Sequence, residues 1–118
     1  MEKPSLDLVR GTLDLLVLKT LSWGKLHGYD IAAIIRRQTD QALLVEDGAL
    51  YPALHRMEAK GWIAGEWGLS EKNRRAKFYR LTVEGRKNLM VESGFWRDYA
   101  AAVGKILSAT ARPVIEEP

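Results

Sequence analysis

Hydrophobic positions along the chain change their period twice, and each change marks an element. Val9, Leu13, Leu16, Val17 and Leu21 recur at helical spacing and predict a first helix from about Leu6 to Ser22, with Gly24 ending it. Ile31, Ile34 and Ile35 mark a second helix, entered through His27-Gly28-Tyr29 and fading near Thr39, with Asp40 to Glu46 as connector. Leu50, Leu54 and Met57 form the apolar stripe of a third helix, for which Asp47 is the expected N-cap and Gly61 the residue just past the end. Pro52 sits awkwardly in it, so this helix is expected either to begin a few residues after Asp47 or to bend at its first turn. From Trp62 the pattern alternates. Trp62 to Trp67 and Ala76 to Leu81 predict two strands joined by the polar stretch Gly68 to Arg75. Thr82 then caps a last helix, in which Leu89, Trp96, Tyr99, Val103 and Ile106 make a heptad-like seam broken by Glu92 and weakened by Gly94.

Three helices, a hairpin and a long helix predict a mainly α, α+β architecture. It is a winged helix-turn-helix with a two-stranded basic wing and a C-terminal dimerisation helix. Residues 1–82 are expected to form the DNA-binding domain, 83–110 the dimerisation helix and 111–118 a flexible tail.

Composition narrows the class. The 118 residues are 47% hydrophobic and 28% charged, ordinary for a globular chain of one domain. A core this small makes pairing with a second copy a natural source of stability. The absence of cysteine excludes disulfides, thiolate metal sites and cysteine nucleophiles. Met1 to Ser5 lacks the order of a signal peptide, and the apolar run Leu13 to Leu21 is interrupted by Asp14 and Lys19. A cytoplasmic location with no membrane contact is therefore expected.

Net charge is only +3, but its placement is informative. Between Leu69 and Arg80 lie Lys72, Arg74, Arg75, Lys77 and Arg80 against a single acid, Glu71, a local charge of +4. Charge focused on one short segment suits a phosphate backbone. The third helix turns Tyr51, Pro52, His55, Arg56 and Ala59 away from its apolar stripe. Arg56 is the candidate for guanine, His55 for a base or phosphate and Tyr51 for a phosphate. Gly48 and Ala49 are small enough to bring backbone N–H groups near a phosphate. Lys72, Asn73, Arg74, Arg75 and Lys77 are the candidate wing contacts. Trp62, Trp67, Phe78 and Tyr79 read as core and cross-strand packing, and Trp23 as structural. Leu89, Phe95, Trp96, Tyr99, Val103 and Ile106 are the expected dimer interface, where a small flat effector has room to bind.

With these residues in view, the chain resembles the PadR family of bacterial transcriptional regulators, in its short form with one C-terminal helix. The matching blocks are Gly11-Thr12-Leu13-Asp14-Leu15-Leu16, His27-Gly28-Tyr29-Asp30-Ile31, Gly48-Ala49-Leu50-Tyr51-Pro52-Ala53-Leu54, Met57-Glu58-Ala59-Lys60-Gly61-Trp62-Ile63, and Arg75-Ala76-Lys77-Phe78-Tyr79-Arg80-Leu81-Thr82 with Gly85. The resemblance implies a repressor that binds a pseudo-palindromic operator as a homodimer and is released by a small effector. It implies DNA contact at Tyr51 and at Lys72 through Arg75, and pairing of the last helices at Trp96 and Tyr99. No fixed motif spans Leu89 to Ile106, so the identity of the effector does not transfer.

Other classes fare worse. Two histidines, His27 and His55, on separate helices offer neither a catalytic constellation nor enough ligands for a metal, so no enzyme, cofactor or metal is expected. His27 is better suited to capping a helix turn. A winged helix serving only protein partners remains the alternative, although it has less use for a basic tip.

Overall fold

The computed structural model describes residues 11–116. Its elements run α1 (Thr12–Leu21), β1 (Leu26–His27), α2 (Gly28–Gln38), α3 (Asp47–Ala59), β2 (Ile63–Leu69), β3 (Arg75–Leu81) and α4 (Val83–Leu107). The portion of the first helix expected over Leu6 to Arg10, including Val9, lies outside the described residues, as do the last two residues of the expected tail.

One core unites these elements. Val17, Leu18 and Leu21 of α1 meet Ile31 and Ile35 of α2, Leu50, Ala53, Leu54 and Met57 of α3, and Ile63, Tyr79 and Leu81 of the strands. The apolar stripe of α1, α2 and α3 is thus the buried face of each, and each fully buried leucine or isoleucine contributes about 1.5–3 kcal/mol.

The strands form one antiparallel sheet in the order β1-β3-β2. Ile63 pairs with Leu81 at the base of the hairpin and Leu69 with Arg75 near its tip. A two-stranded wing therefore stands as expected, with a third strand beside it. β1 sets Leu26 opposite Tyr79 and His27 opposite Phe78. Two residues are too few to carry an alternating pattern, so the sequence gives no sign of β1.

Helix ends depart from expectation at three places. Gly11, inside the helix expected from about Leu6, takes a left-handed φ of 87, and α1 begins after it. α4 ends at Leu107 rather than 110, and the start of α3 differs. The N-cap of α3 is Glu46, without a side-chain cap bond, and Asp47 is the first helical residue. Asp47 thus acts through its charge on the helix dipole rather than as a cap. The helix begins at Asp47 despite Pro52, so the delayed start does not occur. Lacking an N–H, Pro52 leaves the Gly48 carbonyl without its helical donor. α2 is capped by His27, whose Nδ1 accepts the Asp30 N–H at 3.4 Å, and Gly61 follows α3 with φ +79.

Thr82 ties hairpin to α4. Its Oγ1 accepts the Gly85 N–H at 3.0 Å and lies 2.6 Å from the Gly61 carbonyl and 2.9 Å from that of Trp62 as donor. Gly85 packs against the Trp62 carbonyl so closely that any side chain there would overlap it. From this anchor the 25 residues of α4 project away from the core, giving principal extents of 65 × 41 × 22 Å. The radius of gyration is 18.0 Å, against about 13.5 Å for a compact chain of this length.

A candidate nucleic-acid interface between α3 and the wing

The open face of α3 and the hairpin enclose a groove of about 770 Å³. Tyr51 and His55 form one wall with His27, Gly28 and Tyr29 from the start of α2. Trp67, Lys72, Arg74, Arg75, Lys77 and Tyr79 form the other.

On α3, burial of Leu50, Ala53, Leu54 and Met57 leaves Gly48, Ala49, Tyr51, Pro52, His55, Arg56 and Ala59 exposed. The small residues among them keep this face low. Tyr51 lies over Gly28, where a Cβ would stand 3.0 Å from its ring. Arg56 stands apart from the groove: its guanidinium donates to Asp14 Oδ1 of α1 at 2.5 Å.

At the wing tip, Ser70 N–H donates to the Arg74 carbonyl at 2.8 Å and Asn73 N–H to the Ser70 carbonyl at 2.9 Å. Ser70 Oγ accepts the Arg74 N–H at 3.2 Å. Asn73 takes a left-handed φ of 58, which asparagine tolerates better than most residues. Its first role is thus the turn, which presents Lys72, Arg74 and Arg75 outward. All three are exposed, and among the described residues none is in an ion pair.

Lys77 behaves differently. Its ammonium lies 2.8 Å from Glu58 Oε1 of α3. Hydrogen bonding and charge from Lys77 hold the Glu58 carboxyl below its ordinary range, against a smaller opposing push from burial. The same bond raises the Lys77 ammonium above its usual value. Burial pushes the Tyr79 phenol up.

Trp67 is a correction to the packing role expected of it. It is 60% exposed and carries the Arg75 guanidinium 4.5 Å above its ring, a cation–π shelf that orients the arginine. Trp23 is likewise exposed at 64%, under the Lys19 ammonium. Tyr79 and Trp62, in contrast, belong to the core or pack against it. Trp67, Tyr29, Glu58 and Asp14 are the groove and support residues that sequence reasoning missed. Strand alternation contains the signal for Trp67, which shares a face with Tyr79, Lys77 and Arg75.

The expected interface residues lie along α4. Phe95, Trp96, Tyr99, Val103 and Ile106 are exposed, as are Met90, Val91 and Leu107 on neighbouring positions. Phe95 and Trp96 both stack on Tyr99, with ring centroids 6.4 and 6.3 Å apart. Leu89 instead turns partly into the core. A shallow cleft of about 210 Å³ opens between α1 and α4, lined by Gly11, Thr12, Leu15, Glu92, Phe95, Trp96 and Tyr99. Glu92, out of place in an apolar seam, is here a polar lining residue.

A helical triad, a basic hairpin and a projecting helix define a winged-helix protein of the kind used in transcriptional control. The chain belongs to the PadR-like family of transcriptional regulators, which it matches over residues 17–91. Its fold is similar to a transcriptional regulator from Clostridium thermocellum, 32% identical with a TM-score of 0.76 over 85% of this chain and 97% of that one. It is also similar to a PadR family transcription regulator from Clostridium difficile, 30% identical with a TM-score of 0.72 over 83% and 100%. An uncharacterized protein of Lysinibacillus sphaericus is 29% identical over 83 residues, which cover 70% of this chain and 76% of that protein. The family consists of regulators rather than enzymes. No helix among the described residues is long and apolar enough to cross a membrane.

Proposed function

We propose that the protein is a sequence-specific DNA-binding repressor acting as a homodimer on a pseudo-palindromic operator. α3 enters the major groove, and the wing follows the backbone into the neighbouring minor groove. The observation that carries this reading is the wing tip. Lys72, Arg74 and Arg75 line the same groove as Tyr51 and His55 of α3 and have no acidic partner among the described residues. A basic tip without internal partners is matched by a polyanion. The uncovered apolar face of α4 supports pairing with a second copy, since patches of this kind on soluble domains mark interfaces. The aromatic cleft between α1 and α4 supports a flat effector that binds there and releases the DNA.

Fluorescence anisotropy against duplex DNA from upstream of the protein's own gene, beside a scrambled duplex and a salt series, tests the reading. Sequence-dependent binding with a steep salt slope is expected. No binding to any duplex at low salt overturns it in favour of a module that binds protein partners.

A further inference from the structure

Lys77 belongs by sequence to the basic run of the wing, yet the fold withdraws it from that run. Its side chain is only 25% exposed, while the Lys72, Arg74 and Arg75 residues stand in solvent. Its ammonium is spent on Glu58, which comes from the last turn of α3. The base of the hairpin is fixed to α3 through the chain itself, since β2 follows within four residues. Higher up, the Glu58–Lys77 pair is the one ion pair among the described residues that joins α3 to the wing.

The surroundings are shaped for this contact. Gly65 faces Tyr79 across the hairpin and Trp67 faces Lys77. A Cβ on Gly65 would stand 2.5 Å from Lys77 Cε and 3.0 Å from Glu58 Oε2, so the stem of the lysine crosses the space that the glycine leaves open. Its ammonium lies 5.4 Å from the centre of the Tyr79 ring. The Gly65 N–H adds a weaker interaction with the same carboxylate. Beside Lys77 sits Trp67 with its load of Arg75.

We infer that Glu58 and Lys77 form a clamp that sets the spacing of the wing from the recognition helix, making Lys77 a positioning residue rather than a phosphate contact. Its consequence for operator binding rests on the proposed DNA-binding function, but the clamp itself does not. Removing it leaves the hairpin held above its base by the β1 pairing at Phe78 and Tyr79, so the wing beyond that pairing swings and the tip cations lose their fixed distance from α3. A duplex offers the two grooves at a set separation, so preferred sites suffer most.

Glu58→Gln, Lys77→Met, the double variant and Gly65→Ala make the test. Gly65→Ala leaves both charges in place and displaces the lysine by bulk, so it serves even where Lys77→Met folds poorly. Hydrogen exchange without DNA is the first readout. Amides of β2 and β3 are expected to exchange about three- to tenfold faster in each single variant, relative to those of the helical core, with no further gain in the double. Wild-type exchange in the hairpin of all the variants overturns the clamp. The salt slope of binding to a scrambled duplex is the second readout. Lys77→Met is expected to leave it unchanged while weakening the preferred duplex severalfold. A slope reduced by about 0.9, the value of one phosphate, overturns the positioning role. Failure of the wild type to bind any duplex sinks the DNA reading alone, and the exchange arm still decides the clamp.

Discussion

Arg56, placed by its charge among the DNA-reading residues of α3, donates its guanidinium to Asp14 of α1 at 2.5 Å. The two are 42 residues apart in sequence, and neither lines the groove between α3 and the wing. The carboxylate is 22% exposed and the arginine 49%. On the proposed function, a duplex in front of α3 competes with Asp14 for this cation.

That competition gives the first prediction. Asp14→Asn frees the guanidinium and is expected to tighten binding to scrambled duplex severalfold with a steeper salt slope. Arg56→Ala is expected to cost about 1–3 kcal/mol, mainly on the preferred site. Anisotropy titrations of both variants check this. If Asp14→Asn changes nothing, Arg56 is a tie between helices and not a reader of bases.

The wing gives a second. Arg74→Ala with Arg75→Ala is expected to weaken binding to every duplex and to flatten the log–log salt slope by up to about 1.8, the share of two phosphates. Unchanged affinity removes the tip from the interface.

A third concerns α4. Trp96→Glu and Val103→Glu put a charge on positions that are already solvent-facing in the single chain, at 38% and 41% exposed. Folding is spared and apolar pairing is not. Sedimentation is expected to shift from dimer to monomer for either variant, and a dimer that survives both moves the interface elsewhere.

Acid and alkali give the fourth. The Glu58 carboxyl is held below its unfolded value of 4.5, so its stabilising effect is complete above that pH and disappears as pH falls through the lowered value. Lys77 is raised above 10.5, so its effect is complete below that pH and disappears as pH rises through the raised value. Urea midpoints of wild type and Lys77→Met are expected to differ by a constant amount near neutrality and to converge at both extremes. A gap that persists in strong acid assigns it to packing of the lysine stem.

Much of this fold is legible in sequence because it is written in short-range periods. Leu50, Leu54 and Met57 predict the buried face of α3, and Thr82 its neighbour's cap, from spacing alone. β1 was not legible, since Leu26 and His27 are strand only by pairing with Tyr79 and Phe78. The site divides in the same way. Exposure of Tyr51 and His55 follows from helical geometry. The partners of Arg56 and Lys77 do not, because Asp14 and Glu58 are brought to them by tertiary packing. A run of basic residues reports charge and not partners, which is why Lys77 reads like Arg75 although its ammonium is held by Glu58.

The junction at Thr82 makes α4 a lever. Cap, hairpin base and helix start share one set of hydrogen bonds, with no loose linker between them. A helix of this length reaches about 37 Å from its fulcrum. In a dimer paired along α4, a slip of one helical turn shifts the partners by about 5.4 Å, more than the roughly 3.4 Å between successive base pairs. On the proposed dimeric DNA-binding function, the register of two helices far from the DNA becomes a ruler for the distance between half-sites, and substitutions in the α4 seam are expected to change which operator spacing is read without touching α3 or the wing.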